Sequence, residues 1–231
     1  MDIVLIPGFW LDASSWDDVV PVLEQAGHRP HAVTLPGMSR DDDRSGVTLR
    51  DQVDAVVALV DTLDDGPVVL VGHSGGGAVA HGAVDARPDR IARVVYAASE
   101  PLGHGEIIND GFPSENGEVP LPDWSEFDDE ELADLDDGLR AAFRERAIPT
   151  PLGVAAGPQQ LSDERRYDVP VTVIACEFPS AKLKEWMAAG HLAELAKIRH
   201  VDFVDLPTGH WPQFTRPQEL ARAILDAVGP A

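Results

Sequence analysis

The chain has 231 residues and an apolar content of 44%, enough for one globular domain with a large core. Its 40 acidic residues stand against 18 basic ones, and the net charge of −22 argues against nucleic acid, anionic membranes and polyanionic substrates as partners. No apolar run approaches the length of a membrane span, and Cys176, the only cysteine, excludes an intrachain disulfide.

Asp2-Ile3-Val4-Leu5-Ile6 reads as a first strand, followed at once by the turn-forming Pro7-Gly8-Phe9-Trp10. With Asp2 and no basic stretch, this start reads as a strand and not as a signal peptide, so a cytoplasmic location is expected. A helix is expected over 15–26, a strand over 29–35 and a helix over 49–63, the last capped by Thr48. Residues 67–72 form an apolar, β-branched run that reads as a buried parallel strand. It ends in Gly72-His73-Ser74-Gly75-Gly76, and a helix rich in small residues is expected over 75–86.

A strand that turns into a helix at a serine within G-x-S-x-G is the pattern of a nucleophile elbow. Small residues flank the serine because the turn is crowded, and the chemistry implied is acyl transfer through a covalent serine intermediate. A phosphate cradle is the other functional reading of such a turn. Neither G-x-x-x-x-G-K-[ST] nor G-x-G-x-x-G can be read through these residues.

A strand over 91–98 leads to Glu100 and to a break in the alternation at 100–168, a segment rich in proline, glycine and acid. There Leu132, Leu135, Leu139 and Phe143 recur at helical spacing, either as a helix packed on the core or as a lid face lining a pocket. The lid is the expectation. Strands over 169–176 and 201–206 and helices over 182–198 and 217–228 complete the chain, the last entered through Arg216-Pro217. Alternation of this kind implies an α/β architecture: a mostly parallel sheet of about six strands with helices on both faces.

A serine is a poor nucleophile without a base. His210, in Thr208-Gly209-His210-Trp211 after the last strand, is the best placed, because the order serine then histidine fits a base that comes last. His73 and His81 read as packing or surface residues. His28, His31, His104, His191 and His200 show no metal-ligand spacing, and no metal or cofactor is expected. The amides of Phe9, after the first strand, and Gly75, after the serine, are placed to form an oxyanion hole.

Together with Trp16, Leu23, Gly27-His28 and Leu35-Pro36-Gly37, these motifs resemble the α/β-hydrolase superfamily, in its compact branch of plant-type esterases and hydroxynitrile lyases. The resemblance spans almost the whole chain and departs in two places. Pro7 stands where the family usually has histidine, and the slot for the triad acid falls near Phe178 or Pro179, which are apolar. Two carboxylates compete for that role. Glu100 is preferred, because Glu177 lies one residue off the slot and strand alternation tends to turn it away from His210.

The resemblance implies an α/β-hydrolase fold over 1–231 with a lid at 100–168. It implies a serine esterase for small, fairly apolar carboxylic esters or thioesters, acting through Ser74, His210 and Glu100. Trp10, Trp211, Phe178, Leu139 and Phe143 are the candidate pocket residues, and a homodimer is a candidate assembly. Two alternatives stay open: a non-catalytic ligand-binding member of the fold, and a lyase. The lyase is disfavoured because Trp211 stands where that branch has a lysine.

Overall fold

The computed structural model describes residues 1–64 and 66–229. Six strands form one sheet: β1 (Asp2–Ile6), β2 (Arg29–Ala32), β3 (Val68–His73), β4 (Ile91–Ala97), β7 (Val171–Ala175) and β8 (Val201–Asp205). A short antiparallel pair, β5 (Glu118–Val119) and β6 (Thr150–Pro151), lies inside the segment between β4 and β7. The helices are α1 (Val20–Gln25), α2 (Leu49–Thr62), α3 (Gly76–Ala86), α4 (Asp137–Arg146), α5 (Leu152–Ala155), α6 (Ser180–Ala188), α7 (Pro212–Thr215) and α8 (Pro217–Val228). The six strands run in the order β2-β1-β3-β4-β7-β8, and every neighbouring pair is parallel. This is the mostly parallel sheet of about six strands that the alternation predicts.

The central strands are apolar throughout because both faces of the sheet are covered. Side chains alternate between the faces. Val4, Ile6, Val68, Leu70, Val94 and Tyr96 pack with α2 and α3 on one side. Ile3, Leu5, Val69, Val71 and Val95 pack with Trp16, α1 and α8 on the other. Each fully buried aliphatic side chain contributes roughly 1.5–3 kcal/mol. A third cluster, around Trp10, Phe127, Phe143 and Trp211, joins the segment after β4 to the body.

Helix boundaries follow local chemistry. Thr48 caps α2 in a reciprocal capping box with Asp51, and Pro217 occupies the first turn of α8. Two expected helices are shorter than periodicity suggests. The one over 15–26 splits into a 3-10 turn at Ala13–Trp16, capped by Asp12, and α1, which restarts with Pro21 in its first turn. The one over 182–198 stops at Ala188. Gly190 adopts φ 86°, its N–H bonds the Met187 carbonyl, and the His191 N–H bonds the Trp186 carbonyl, which closes a Schellman stop. No helix among the described residues is long and apolar enough to cross a membrane.

The carboxyl ends of β1, β3, β4, β7 and β8 lie along one edge of the sheet. The loops leaving them carry Phe9, Ser74, Glu100, Glu177 and His210 in that order. Ligands of parallel α/β sheets bind in the crevice beyond this edge.

Candidate active site

Ser74 sits between β3 and α3 at φ 51°, a left-handed conformation that a serine holds only under constraint. The neighbouring glycines supply it. A Cβ on Gly72 would lie 2.7 Å from the Gly76 carbonyl oxygen and from the Gly77 Cα, and one on Gly76 would lie 2.5 Å from the Ile6 carbonyl oxygen. Both contacts are with backbone that cannot give way. The loop after β1 presses on the same turn, since a Cβ on Gly8 would meet the Ser74 Cβ at 2.7 Å. The Ser74 N–H bonds the Ala97 carbonyl at 3.1 Å, and the Ser99 hydroxyl donates to the Ser74 carbonyl at 2.6 Å.

His210 Nε2 lies 2.7 Å from Ser74 Oγ. Its Nδ1 bonds Glu177 Oε1, so the acid nearest the imidazole is Glu177. This corrects the assignment to Glu100, which makes no hydrogen bond or ion pair with His210. The alternation argument fails because β7 ends at Ala175. Glu177 lies in the bend beyond, where side chains no longer follow the pleat. A carboxylate only accepts, so Nδ1 carries the hydrogen and Nε2 offers its lone pair to the Ser74 hydroxyl. Burial pushes the Glu177 carboxyl up, but the bond from His210 and the charge of that ring outweigh it and hold it below the usual range.

The loop carrying His210 is fixed from two sides. The His210 N–H bonds the Glu131 carbonyl at 2.8 Å, and the Gly209 N–H bonds Asp134 Oδ1 at 2.8 Å. From below, His73 Nε2 bonds the His210 carbonyl at 2.7 Å, while the Gln213 amide lies 3.2 Å from His73 Nδ1. A carbonyl only accepts, so Nε2 is the protonated nitrogen and His73 is neutral; burial, first, and the His210 ring bring its pKa down to about 3. His73 is thus a packing residue that also holds the histidine loop, a role that nothing in its local sequence marks. His81 is buried as well, bonded to Tyr96 and Glu194 in a network with Arg166 that ties α3 to the chain before β7 and β8.

Phe9 and Gly75 lie side by side, with the Phe9 ring against the Gly75 backbone. Among the described residues neither N–H has a hydrogen-bond partner. Trp10 is anchored differently: its N–H bonds Thr150 Oγ1 and its indole bonds the Val119 carbonyl, both at 3.0 Å.

A cavity of about 520 Å³ opens over Ser74 and His210. Phe9, Trp10, Phe112, Phe127, Phe178 and Trp186 supply its aromatic wall, and the segment after β4 contributes Glu100, Leu102, Ile108 and Glu131. Of the pocket candidates named from the sequence, Trp10 and Phe178 are among the residues that line the cavity. Leu139, Phe143 and Trp211 are not. Phe143 and Trp211 are buried, with ring centroids 5.3 Å apart, in the aromatic cluster that seats the segment on the body, and Leu139 packs against that cluster. Leu132 and Leu135 precede α4 and do not share its face. Cys176 reaches the cavity wall, but burial, with the Glu177 charge, pushes its thiol up to about 12 and keeps it unreactive. Among the described residues no cluster of three or more His, Cys, Asp or Glu side chains is arranged to hold a metal.

Residues 3–223 match the model of a family described as alpha/beta hydrolases. The chain is 27% identical to Methylesterase 7 of Arabidopsis thaliana over 96% of its own length and 94% of that protein's. It is 30% identical to Lipase LipV of Mycobacterium tuberculosis over 86% of its own length and 83% of that protein's. An extracellular alpha/beta-hydrolase from a Paenibacillus species superposes with a TM-score of 0.80 at 23% identity, covering 98% of both chains, and speaks for the fold alone.

Proposed function

The chain belongs to the alpha/beta hydrolase family, and on that premise we propose that it is a serine carboxylic-ester hydrolase working through an acyl-enzyme. The observation that carries the reading is the unbroken relay from Glu177 through His210 to Ser74 beneath an open cavity with an aromatic wall. Ser74 Oγ attacks the ester carbonyl as His210 Nε2 takes its proton. The N–H groups of Phe9 and Gly75 receive the oxyanion. His210 then gives the proton to the departing alcohol, and water repeats the sequence on the acyl-serine. Glu177 fixes the imidazole tautomer and stabilises the imidazolium. The relatives named as a methylesterase and a lipase support ester chemistry. The cavity's volume and apolar wall support small, fairly apolar esters or thioesters. Hydrolysis of p-nitrophenyl esters of graded acyl length tests this. Turnover that falls off as the chain outgrows the cavity is expected, and no turnover on any member of the series would defeat the reading.

Residues 100–168 act in this reading as a lid, seated by aromatic contacts and tied to the catalytic loop through Glu131 and Asp134. Its pocket face is the stretch before α4, not α4 itself. Phe143→Ala should cost about 3–5 kcal/mol of stability by opening a void beside Trp211. The ranking of acyl chain lengths should not change. A changed ranking at matched folded fraction would return α4 to the cavity wall.

A further inference from the structure

Glu100 follows directly on Ser99, whose hydroxyl is bonded to the Ser74 carbonyl, so its backbone leaves β4 next to the nucleophile turn. It lines the same cavity as Ser74 and His210. Among the described residues its side chain has no hydrogen bond and no ion pair. Four other acidic side chains of the lining are engaged: Glu177 with His210, Glu106 with the Gly103 N–H at 2.6 Å, Glu131 with the Asp128 N–H at 2.9 Å, and Glu194 with Arg166 and Lys197. Asp128 and Glu130, on the segment before α4, add two more carboxylates to the lining that are unpaired among the described residues, whereas Glu100 leaves β4 next to the Ser74 turn. No lysine or arginine among the described residues lines the cavity, while six aromatic rings do. A cavity that presents a bare carboxylate and aromatic rings, in a protein of net charge −22, is an environment that attracts cations and repels anions.

We propose that Glu100 is the specificity residue of this pocket and selects esters that carry a cationic nitrogen, such as a quaternary ammonium group, over neutral and anionic ones. The proposal rests on the ester-hydrolase reading and deepens it. The uncompensated charge of Glu100 finds its partner in the substrate, whose alkylated nitrogen also packs on the rings. An ester bearing a carboxylate meets repulsion at the same point.

The pH dependence follows from the surroundings of Glu100. Enough protein surrounds it to raise its carboxyl through desolvation, though its surface is open to the cavity. Glu177 and Glu106 raise it further, and the His210 ring acts the other way. Glu100 therefore gains its charge as pH rises through this elevated value, and the preference for a fixed cation should grow over that interval.

The test compares butyrylthiocholine with the thioester in which the quaternary nitrogen is replaced by carbon, by released thiol, in the wild type and in Glu100→Gln. The readout is the ratio of kcat/KM for the charged over the neutral substrate. His210 affects both substrates alike and cancels in the ratio, and the quaternary nitrogen does not titrate. The wild type should favour the cation, the ratio should rise with pH, and Glu100→Gln should lower it about tenfold and flatten the pH profile. An equal ratio in the two proteins would overturn the proposal.

If the wild type cleaves neither thioester, the hydrolase reading still stands or falls with the p-nitrophenyl series. The charge preference is then read from the binding of phenyltrimethylammonium, followed by tryptophan fluorescence, since Trp10 and Trp186 line the cavity. Binding about tenfold weaker in Glu100→Gln upholds the role of Glu100, and equal binding ends it.

Discussion

Ser74→Ala is expected to lose ester turnover by a factor on the order of 10³ or more, because nucleophile and base act as one unit. The wild-type protein should take up one fluorophosphonate label, and mass spectrometry should place it on Ser74. The physical basis is the elbow. Gly72 and Gly76 permit a turn that a Cβ would block, the turn holds Ser74 at φ 51°, and His210 Nε2 then stands 2.7 Å from the hydroxyl. The label traps the covalent step itself, so it does not depend on finding the natural substrate. The alanine variant should fold, since the hydroxyl bonds only His210 and the strained backbone is held by its neighbours. A wild-type protein that stays unlabelled would remove the acyl-enzyme and leave a ligand-binding member of the fold.

Glu177→Gln is expected to lower kcat by roughly 10²- to 10⁴-fold while the fold survives. Glutamine keeps the shape but can offer Nδ1 either its amide or its carbonyl. The amide would favour the tautomer with the proton on Nε2, where it cannot accept from Ser74. Glutamine also removes the charge that steadies the imidazolium. Glu100→Gln touches neither function, so its loss should be far smaller and should depend on substrate charge. If Glu100→Gln were the crippled variant, the acid would have to be reassigned to it. Two fully active variants would mean a serine–histidine dyad. Glu177 also links stability to pH. Its folded pKa lies below the ordinary value despite burial, because the bond and charge of His210 prevail. Its contribution is therefore present above the ordinary carboxyl pKa and is lost as pH falls through the folded one. Glu177→Gln should lose that acid-side dependence.

The Phe143 and Trp211 pairing shows why a helical apolar face does not identify a lid surface. Periodicity says which side of α4 is buried, not what buries it. Here the burial is against Trp211, 68 positions further along the chain, and the cavity wall is drawn instead from Glu100, Ile108, Phe112 and Glu131, which share no period. The asymmetry between the two carboxylates has a similar origin. The Glu177 side chain is aimed by a bend after β7, and a bend carries no face rule from which its direction might be read.

What the sequence determined by itself is the local chemistry: six strands, the glycines that make the elbow, and Thr48 and Pro217 at helix starts. Each depends on residues a few positions apart, where backbone sterics and hydrogen bonding fix the outcome. The tertiary structure alone decided which acid meets His210, that His73 and Gln213 brace its loop, that Asp134 and Glu131 tie it to the segment after β4, and that Glu100 is left without a partner. These depend on the lateral order β3-β4-β7-β8, which brings loops more than 100 residues apart to one sheet edge. Side chains meeting across that edge are positioned by packing between strands and helices, and no spacing along the chain encodes such a distance.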